Sequence, residues 1–250
     1  MNFEPLDNLN GQTAVIAGAM GGVGYATAQR LAARGARIIG LVRREVETAE
    51  QRLDQLPNNH LKHTAILADV TVKEQLTAAR DQVEQCDILV NASGSSLYIP
   101  HIKLDLLNDK IFDTMLINNL RSQFSMIRTF LPLIKKSPTG LIVNLGSTAG
   151  SGVGGSNLAY AAAKAGIESL TRNLSRTILP TRIINVAFTG VETNFIKHRP
   201  DNFYELEKER NPMGRCVTVE DIARTIEAYA TVIRFTTGGT VVVDGGKSLK

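Results

Sequence analysis

The sequence predicts an α/β fold, a doubly wound (Rossmann-type) parallel β-sheet with helices on both faces, in a single domain over residues 1–250. Three observations lead there. Short apolar runs alternate with amphipathic segments along the whole chain, the order that builds a parallel sheet from strand–helix–strand units. The runs are continuously apolar rather than alternating, as strands buried on both faces are. The first run breaks into Gly18-Ala19-Met20-Gly21-Gly22-Val23-Gly24 and then a helical pattern, the kind of junction at which such sheets receive ligands.

The elements follow in order. Thr13–Ala17 is the first strand. Gly22–Arg34 has helical spacing and stops at Gly35, a residue suited to a left-handed cap. Arg37–Val42 is the second strand, and Val46–Leu56 a helix that Pro57 ends. His63–Ala68 is the third strand, with Asp69 at its tip. Thr71 is placed to cap a helix reaching about Glu84, with Glu74 completing a capping box. Asp87–Val90 is the fourth strand, and a long helix runs from about Asp109 to Leu131. Gly140–Leu145 is the fifth strand, Ala159–Ile178 a helix and Arg182–Ala187 the sixth strand. Thr218 caps a helix over Val219–Ala230, and Thr240–Val243 is the last strand. Residues 191–215 hold Pro200, Pro212 and several charges and fit none of these elements. They are expected to form a lid over a site.

Composition narrows the class. Apolar residues make up 43% of the chain and charged residues 21%, the balance of a soluble globular protein. No apolar run reaches about 18 residues, so no membrane span is expected. Met1–Asn10 is polar and lacks a basic-then-apolar signal pattern. Cys86 and Cys216 stand far apart, which suggests neither a disulfide framework nor a metal site. A reducing, cytoplasmic setting is the expectation. His60, His63 and His198 show no ligand spacing and read as surface residues. The net charge of +4 suits an anionic cofactor. The basic residues are scattered, which argues against a nucleic-acid partner.

The glycine loop suggests a dinucleotide. Gly18, Gly22 and Gly24 let the backbone turn tightly between strand and helix and approach a pyrophosphate, whose charge meets the helix N-terminus. The second strand ends at Val42-Arg43-Arg44. An acidic residue at that tip would bind the adenosine ribose and repel a 2′-phosphate. Two guanidiniums instead pair with phosphate, so NADP(H) is favoured and NAD(H) remains possible. Glu45 is close enough to pair with one of them. Asp69-Val70 is open to two readings, an adenine contact or a helix entry.

Tyr160 and Lys164 lie four residues apart, with Ser147 thirteen residues upstream of the tyrosine. On a helix, positions four apart share a face. A cation at ~4 Å in an effective dielectric of ~20 is worth ~4 kcal/mol, or ~3 pH units on a phenol whose ordinary pKa is near 10. Such a tyrosine exchanges a proton with a substrate oxygen. The same spacing also arises by chance on many helices.

Taken in order, Gly18-x-x-x-Gly22-x-Gly24, Asn91-Ala92-Ser93-Gly94, Ser147 and Tyr160-x-x-x-Lys164 resemble the short-chain dehydrogenase/reductase family over nearly the whole chain. Pro212-Met213-Gly214-Arg215 and the run Thr237–Gly246 are similar to the C-terminal parts of β-ketoacyl-acyl carrier protein reductases. The resemblance implies roles. Ser147 would hold a carbonyl oxygen, Tyr160 would act as general acid/base, and Lys164 would steady the phenolate and hold the nicotinamide ribose. Asn119, with Asn118 beside it, would anchor a water that relays protons to Lys164. Gly18, Met20, Gly22, Val23, Gly24, Arg43, Arg44, Asp69, Val70, Asn91, Ala92, Ser93, Gly94, Gly190, Val191 and Thr193 would join Tyr160 and Lys164 in binding the cofactor. The substrate would be a small ketone or alcohol, or an acyl carrier-bound 3-oxoacyl thioester, and the assembly a homotetramer or dimer.

The chain departs from that family's pattern. Ala17 stands where threonine is usual, Met20 where a small polar residue is usual, and Phe188-Thr189-Gly190 where Pro-Gly is usual. These departures keep a second reading open, a catalytically weak nucleotide-binding regulatory or scaffold protein of the same fold. Lys135, Lys136, Arg172 and Arg176 are likewise open to two readings, a face for an acidic carrier or a solvated helix surface.

Overall fold

A computed structural model describes residues 4–152, 154–193 and 195–249. The start of the N-terminal stretch and Asn194 of the expected lid lie outside the described residues. The chain runs β1 (Thr13–Ala17), α1 (Gly22–Ala33), β2 (Arg37–Val42), α2 (Val46–Leu53), β3 (Thr64–Leu67), α3 (Lys73–Asp81) and β4 (Ile88–Asn91). It continues through β5 (Ser96–Leu97), α4 (Asp109–Leu116), a π turn (Ile117–Arg121), α5 (Ser122–Ile134), β6 (Leu141–Leu145) and α6 (Leu158–Leu174). Then come β7 (Arg182–Phe188), β8 (Ile196–Lys197), α7 (Phe203–Glu209), α8 (Val219–Thr231) and β9 (Thr240–Val243).

Seven strands form one parallel sheet in the order β3-β2-β1-β4-β6-β7-β9. Successive side chains of a strand face opposite ways, and here both directions are dry. In β1, Ala14 and Ile16 enter one core with Leu31 of α1, Leu53 of α2 and Ile222 of α8. Val15 and Ala17 enter the other core with Leu76 of α3 and Met126 and Phe130 of α5. Two buried faces explain why the strands carry no polar alternation. The strand order reverses direction between β1 and β4, the point at which sheets of this kind form a ligand crevice at the carboxyl ends of their strands. The glycine loop after β1 and the Asn91–Gly94 turn after β4 both lie at that point. A Cβ on Gly18 would fall 2.9 Å from the Ala92 carbonyl and from Ser93 N.

Several expectations need correction. Thr71 is not a helix cap. Its hydroxyl donates to Asp69 Oδ1 at 2.6 Å, which leaves Val72 at the N-cap with no side-chain bond and no capping box through Glu74. Helix α2 stops at Leu53, well before Pro57. Helix α6 stops at Leu174, not Ile178. There Ser175 Oγ takes the Arg172 carbonyl and Thr177 Oγ1 the Leu174 carbonyl, and such side-chain bonds compete with helix continuation. His63 is buried rather than on the surface. Its Nδ1 accepts from Ile38 N at 3.0 Å and its Nε2 meets the Pro57 carbonyl. Burial holds its imidazolium form below the ordinary histidine range. Residues 191–215 are not irregular throughout. They hold α7 and β8, and β8 pairs with β5 through Ser96 and Leu97.

Candidate active site

The site grows from the carboxyl ends of the sheet strands. β6 delivers Ser147 just beyond Leu145, where the Ser147 side chain accepts from Ala149 N. Helix α6 begins at Leu158 because Asn157 caps it, its Oδ1 accepting from Tyr160 N at 2.8 Å. Asn157 Nδ2 also donates to the Leu97 carbonyl at 2.7 Å, which ties the helix start to β5. Tyr160 therefore sits in the first turn of α6, and Lys164 follows one turn later on the same face. Both are buried.

Their electrostatics differ from the sequence expectation. Burial pushes the Tyr160 phenol up to about 12, and a hydrogen bond with Ser147 pulls the other way. Burial also pushes the Lys164 ammonium down to about 7. The lysine does not bring the phenol toward neutral pH. Its Nζ lies 5.5 Å from the ring centroid and donates to the Leu145 carbonyl at 2.6 Å. For two buried groups of this kind desolvation outweighs the pair attraction. At neutral pH burial keeps Tyr160 protonated.

Asn119 is fully buried in the π turn of the long helix, a distortion frequent at functional sites. Its Nδ2 donates to the carbonyls of Ser95 and Met115, both at 2.9 Å, and its Oδ1 accepts from Ser95 N. Asn118 donates to Ser95 Oγ. Both asparagine side chains thus hold the loop after β4 and make no bond to Lys164. A buried chain of amides and a hydroxyl runs beneath the site, from Asn91 to Asn144 to Thr171, and joins β4, β6 and α6.

The residues at the crevice fit a dinucleotide. No side chain caps α1 at Gly21, so the amide groups of its first turn face the crevice as an anion site. Ser93 Oγ is buried there without a protein partner, and Met20 and Val23 pack partly buried on the core behind. Arg43 and Arg44 are exposed at the β2 tip. Arg44 lies 3.8 Å from Glu45, a surface pair worth little. Asp69 accepts from Thr71, and Val70 packs against the second core. Gly190, Val191 and Thr193 leave β7 along the opposite wall. A Cβ on Gly22 would fall 2.9 Å from the Thr193 methyl.

Sequence reasoning missed three contributors. Asn157 carried a recognisable signal, an Asn just before a helix. Phe195 carried none: its ring meets Tyr160 edge-on at 6.0 Å, and a Cβ on Gly94 would fall 3.5 Å from it. Glu207 accepts from the Thr189 hydroxyl and Gly190 N and pairs with Lys247.

A family model described as enoyl-(acyl carrier protein) reductase matches residues 18–248. The 3-oxoacyl-(acyl-carrier-protein) reductase of Escherichia coli is 30% identical over 98% of each chain. The chain is a short-chain dehydrogenase/reductase. The family resemblance carried by the ordered motifs is borne out, and with it an NAD(P)-dependent oxidoreductase. Dehydrogenase/reductase SDR family member 6 of Rattus norvegicus is 30% identical over 98% of this chain and 100% of its own. A dehydrogenase/reductase of Sinorhizobium meliloti superposes with a TM-score of 0.84 at 27% identity, covering 96% of each chain. The Sinorhizobium meliloti protein therefore shares the overall fold of this chain.

Proposed function

We propose that this oxidoreductase uses NADP(H) to reduce a ketone to a secondary alcohol, with Tyr160 as the general acid. The observation that carries the reading is the Ser147–Tyr160–Lys164 cluster at the mouth of the crevice, with a phenol held protonated near pH 7 by burial. NADPH, when bound, supplies the hydride. Ser147 and Tyr160 hold the carbonyl oxygen between their hydroxyls. Negative charge developing on that oxygen makes it basic enough to take the Tyr160 proton. Lys164, one turn away, stabilises the phenolate left behind and restores its proton.

The glycine loop and the first turn of α1 would hold the pyrophosphate, Ser93 would donate to the cofactor, and Arg43 and Arg44 would take the 2′-phosphate. Asp69, Val70, Asn91, Ala92 and Gly94 would line the adenosine and ribose contacts. Residues 191–215 serve as the lid. Thr193 and Phe195 touch the crevice at Gly22 and Gly94, so entry of a ligand requires that segment to move. An acyl carrier-bound 3-oxoacyl thioester is the favoured substrate class, supported by what relatives such as the Escherichia coli reductase are named for. Exposed Lys135, Lys136, Arg172 and Arg176 would face an acidic carrier. A homotetramer or dimer would bury the exposed edge of β9, where Val242 is half exposed, and the cytoplasm suits both partners.

The lid contacts also favour a second reading, a nucleotide-binding regulatory protein whose crevice is closed to substrate. Following NADPH absorbance with acetoacetyl thioesters of a carrier and of a short thiol, and with free ketones, separates the two. Turnover is expected with the thioesters. Binding of NADPH without turnover on any of them favours the regulatory reading.

A further inference from the structure

Helix α7 reaches back from the lid to the chain leaving β7. Tyr204 and Glu207 are three residues apart and share a face of that helix. That face meets residues 189–193. Glu207 Oε2 accepts from the Thr189 hydroxyl at 3.0 Å and from Gly190 N at 3.2 Å, and its other oxygen pairs with Lys247. Lys247 also donates to Thr189 Oγ1 at 3.1 Å. The Tyr204 hydroxyl accepts from Thr193 N at 3.1 Å and bonds the carbonyls of Val191 and Thr193. The side chain of Glu207 is 11% exposed and that of Lys247 22%.

We infer that Glu207, Lys247 and Tyr204 are positioning residues that hold residues 189–193 in the shape that receives the nicotinamide end of the dinucleotide. The inference rests on the NADP(H) reading above. A largely buried ion pair gives little net stability compared with apolar packing, so its presence calls for another use. Here each of its spare hydrogen bonds ends on the turn at Thr189-Gly190. That turn lacks the fixed φ that a proline would give it. Glycine at position 190 lets the carboxylate reach the backbone, since a Cβ there would fall 2.7 Å from Glu207 Oε2. Lys247 comes from beyond β9, so the ties join the lid, the β7 exit and the C-terminal segment.

The test uses the full chain with Glu207→Gln, Lys247→Met and the gentler Thr189→Val. Three quantities are measured: affinity for NADPH by its fluorescence, affinity for adenosine 2′,5′-bisphosphate by calorimetry, and trypsin cleavage at Lys197, Lys208 and Arg210 without ligand. The bisphosphate carries only the adenosine half, which meets the glycine loop and the β2 tip. Glu207→Gln and Lys247→Met are expected to weaken NADPH about tenfold, ~1.4 kcal/mol, and leave the bisphosphate within about twofold. Lid cleavage is expected to quicken about fivefold. Thr189→Val is expected to weaken NADPH about threefold. The double variant of Glu207 and Lys247 is expected to be no worse than either single one. Equal weakening of both ligands, or unchanged NADPH affinity in every variant, overturns the positioning role while leaving the cofactor reading intact. A parent that binds neither ligand overturns the cofactor reading, and the role falls with it.

Discussion

Lys164→Met is expected to raise the stability of the ligand-free protein below neutral pH while removing its activity. Lys164 is 4% exposed, and burial lowers its ammonium from 10.5 to about 7. At ~1.36 kcal/mol per pH unit, that lowering burdens the folded chain by about 5 kcal/mol at pH 6. Methionine fills similar space and carries no charge, but it gives up the hydrogen bond to the Leu145 carbonyl, a loss of ~1–2 kcal/mol. The net gain is about 3 kcal/mol, or roughly 6–12 °C in Tm for a chain of this length. The pH dependence has a definite sign. Above about pH 7 the folded chain has released the Lys164 proton, while the unfolded chain keeps it to about 10.5. The unfolded chain then binds more protons, so the stability of the parent rises with pH across that window. The gap between variant and parent should close to about zero by pH 9.5. Urea unfolding at about pH 6 and about pH 9.5 measures both numbers. A variant less stable than the parent at pH 6, or a gap that does not change with pH, refutes the argument that a desolvated ammonium sits in this site.

Three further outcomes are expected. Gly24→Ala places a Cβ 2.1 Å from the Gly18 carbonyl, backbone against backbone, and should cost at least about 3 kcal/mol in urea unfolding and abolish dinucleotide binding. Arg43→Ala, and Arg44→Ala less so, should weaken NADPH about tenfold in a fluorescence titration and leave NADH within about twofold, since under the proposed function each would remove a charge-assisted bond to the 2′-phosphate alone. Asp221→Ala removes the capping box with Thr218 at the start of α8, at a cost of about 1 kcal/mol near pH 7. Its hydrogen bond with Arg215 holds that carboxyl well below the usual carboxylate range. The contribution is therefore complete above about pH 4 and is lost as the pH falls below it, which unfolding curves between pH 2 and pH 7 will follow.

The sheet was legible in the sequence because burial on both faces leaves mostly apolar residues in the strands, as at Ala14, Val15, Ile16 and Ala17. The Tyr160–Lys164 pairing was legible because helix geometry alone puts positions four apart on one face. Helix ends were less so. Thr71 and Ser175 each satisfy a local partner that the apolar pattern does not encode. His63 looked like a surface residue because its two partners, the Ile38 amide and the Pro57 carbonyl, are backbone groups. The size of the lysine's effect on the phenol is hidden for a similar reason. Spacing shows that Lys164 lies near Tyr160, but not that both are dry, and desolvation decides the outcome. The contacts of Phe195 and Glu207 depend on where the 191–215 segment folds back, which no local pattern records.

The most direct measurement of the account is turnover by Tyr160→Phe beside NADPH affinity in the same preparation. The phenol sits against Ser147 in the first turn of α6, so under the proposed function removing its hydroxyl would take away the proton donor and little else. Carbonyl reduction should fall by at least about 10²-fold while the Kd for NADPH stays within about threefold of the parent. Reduction at the parental rate would show that the proton comes from elsewhere and would contradict the account.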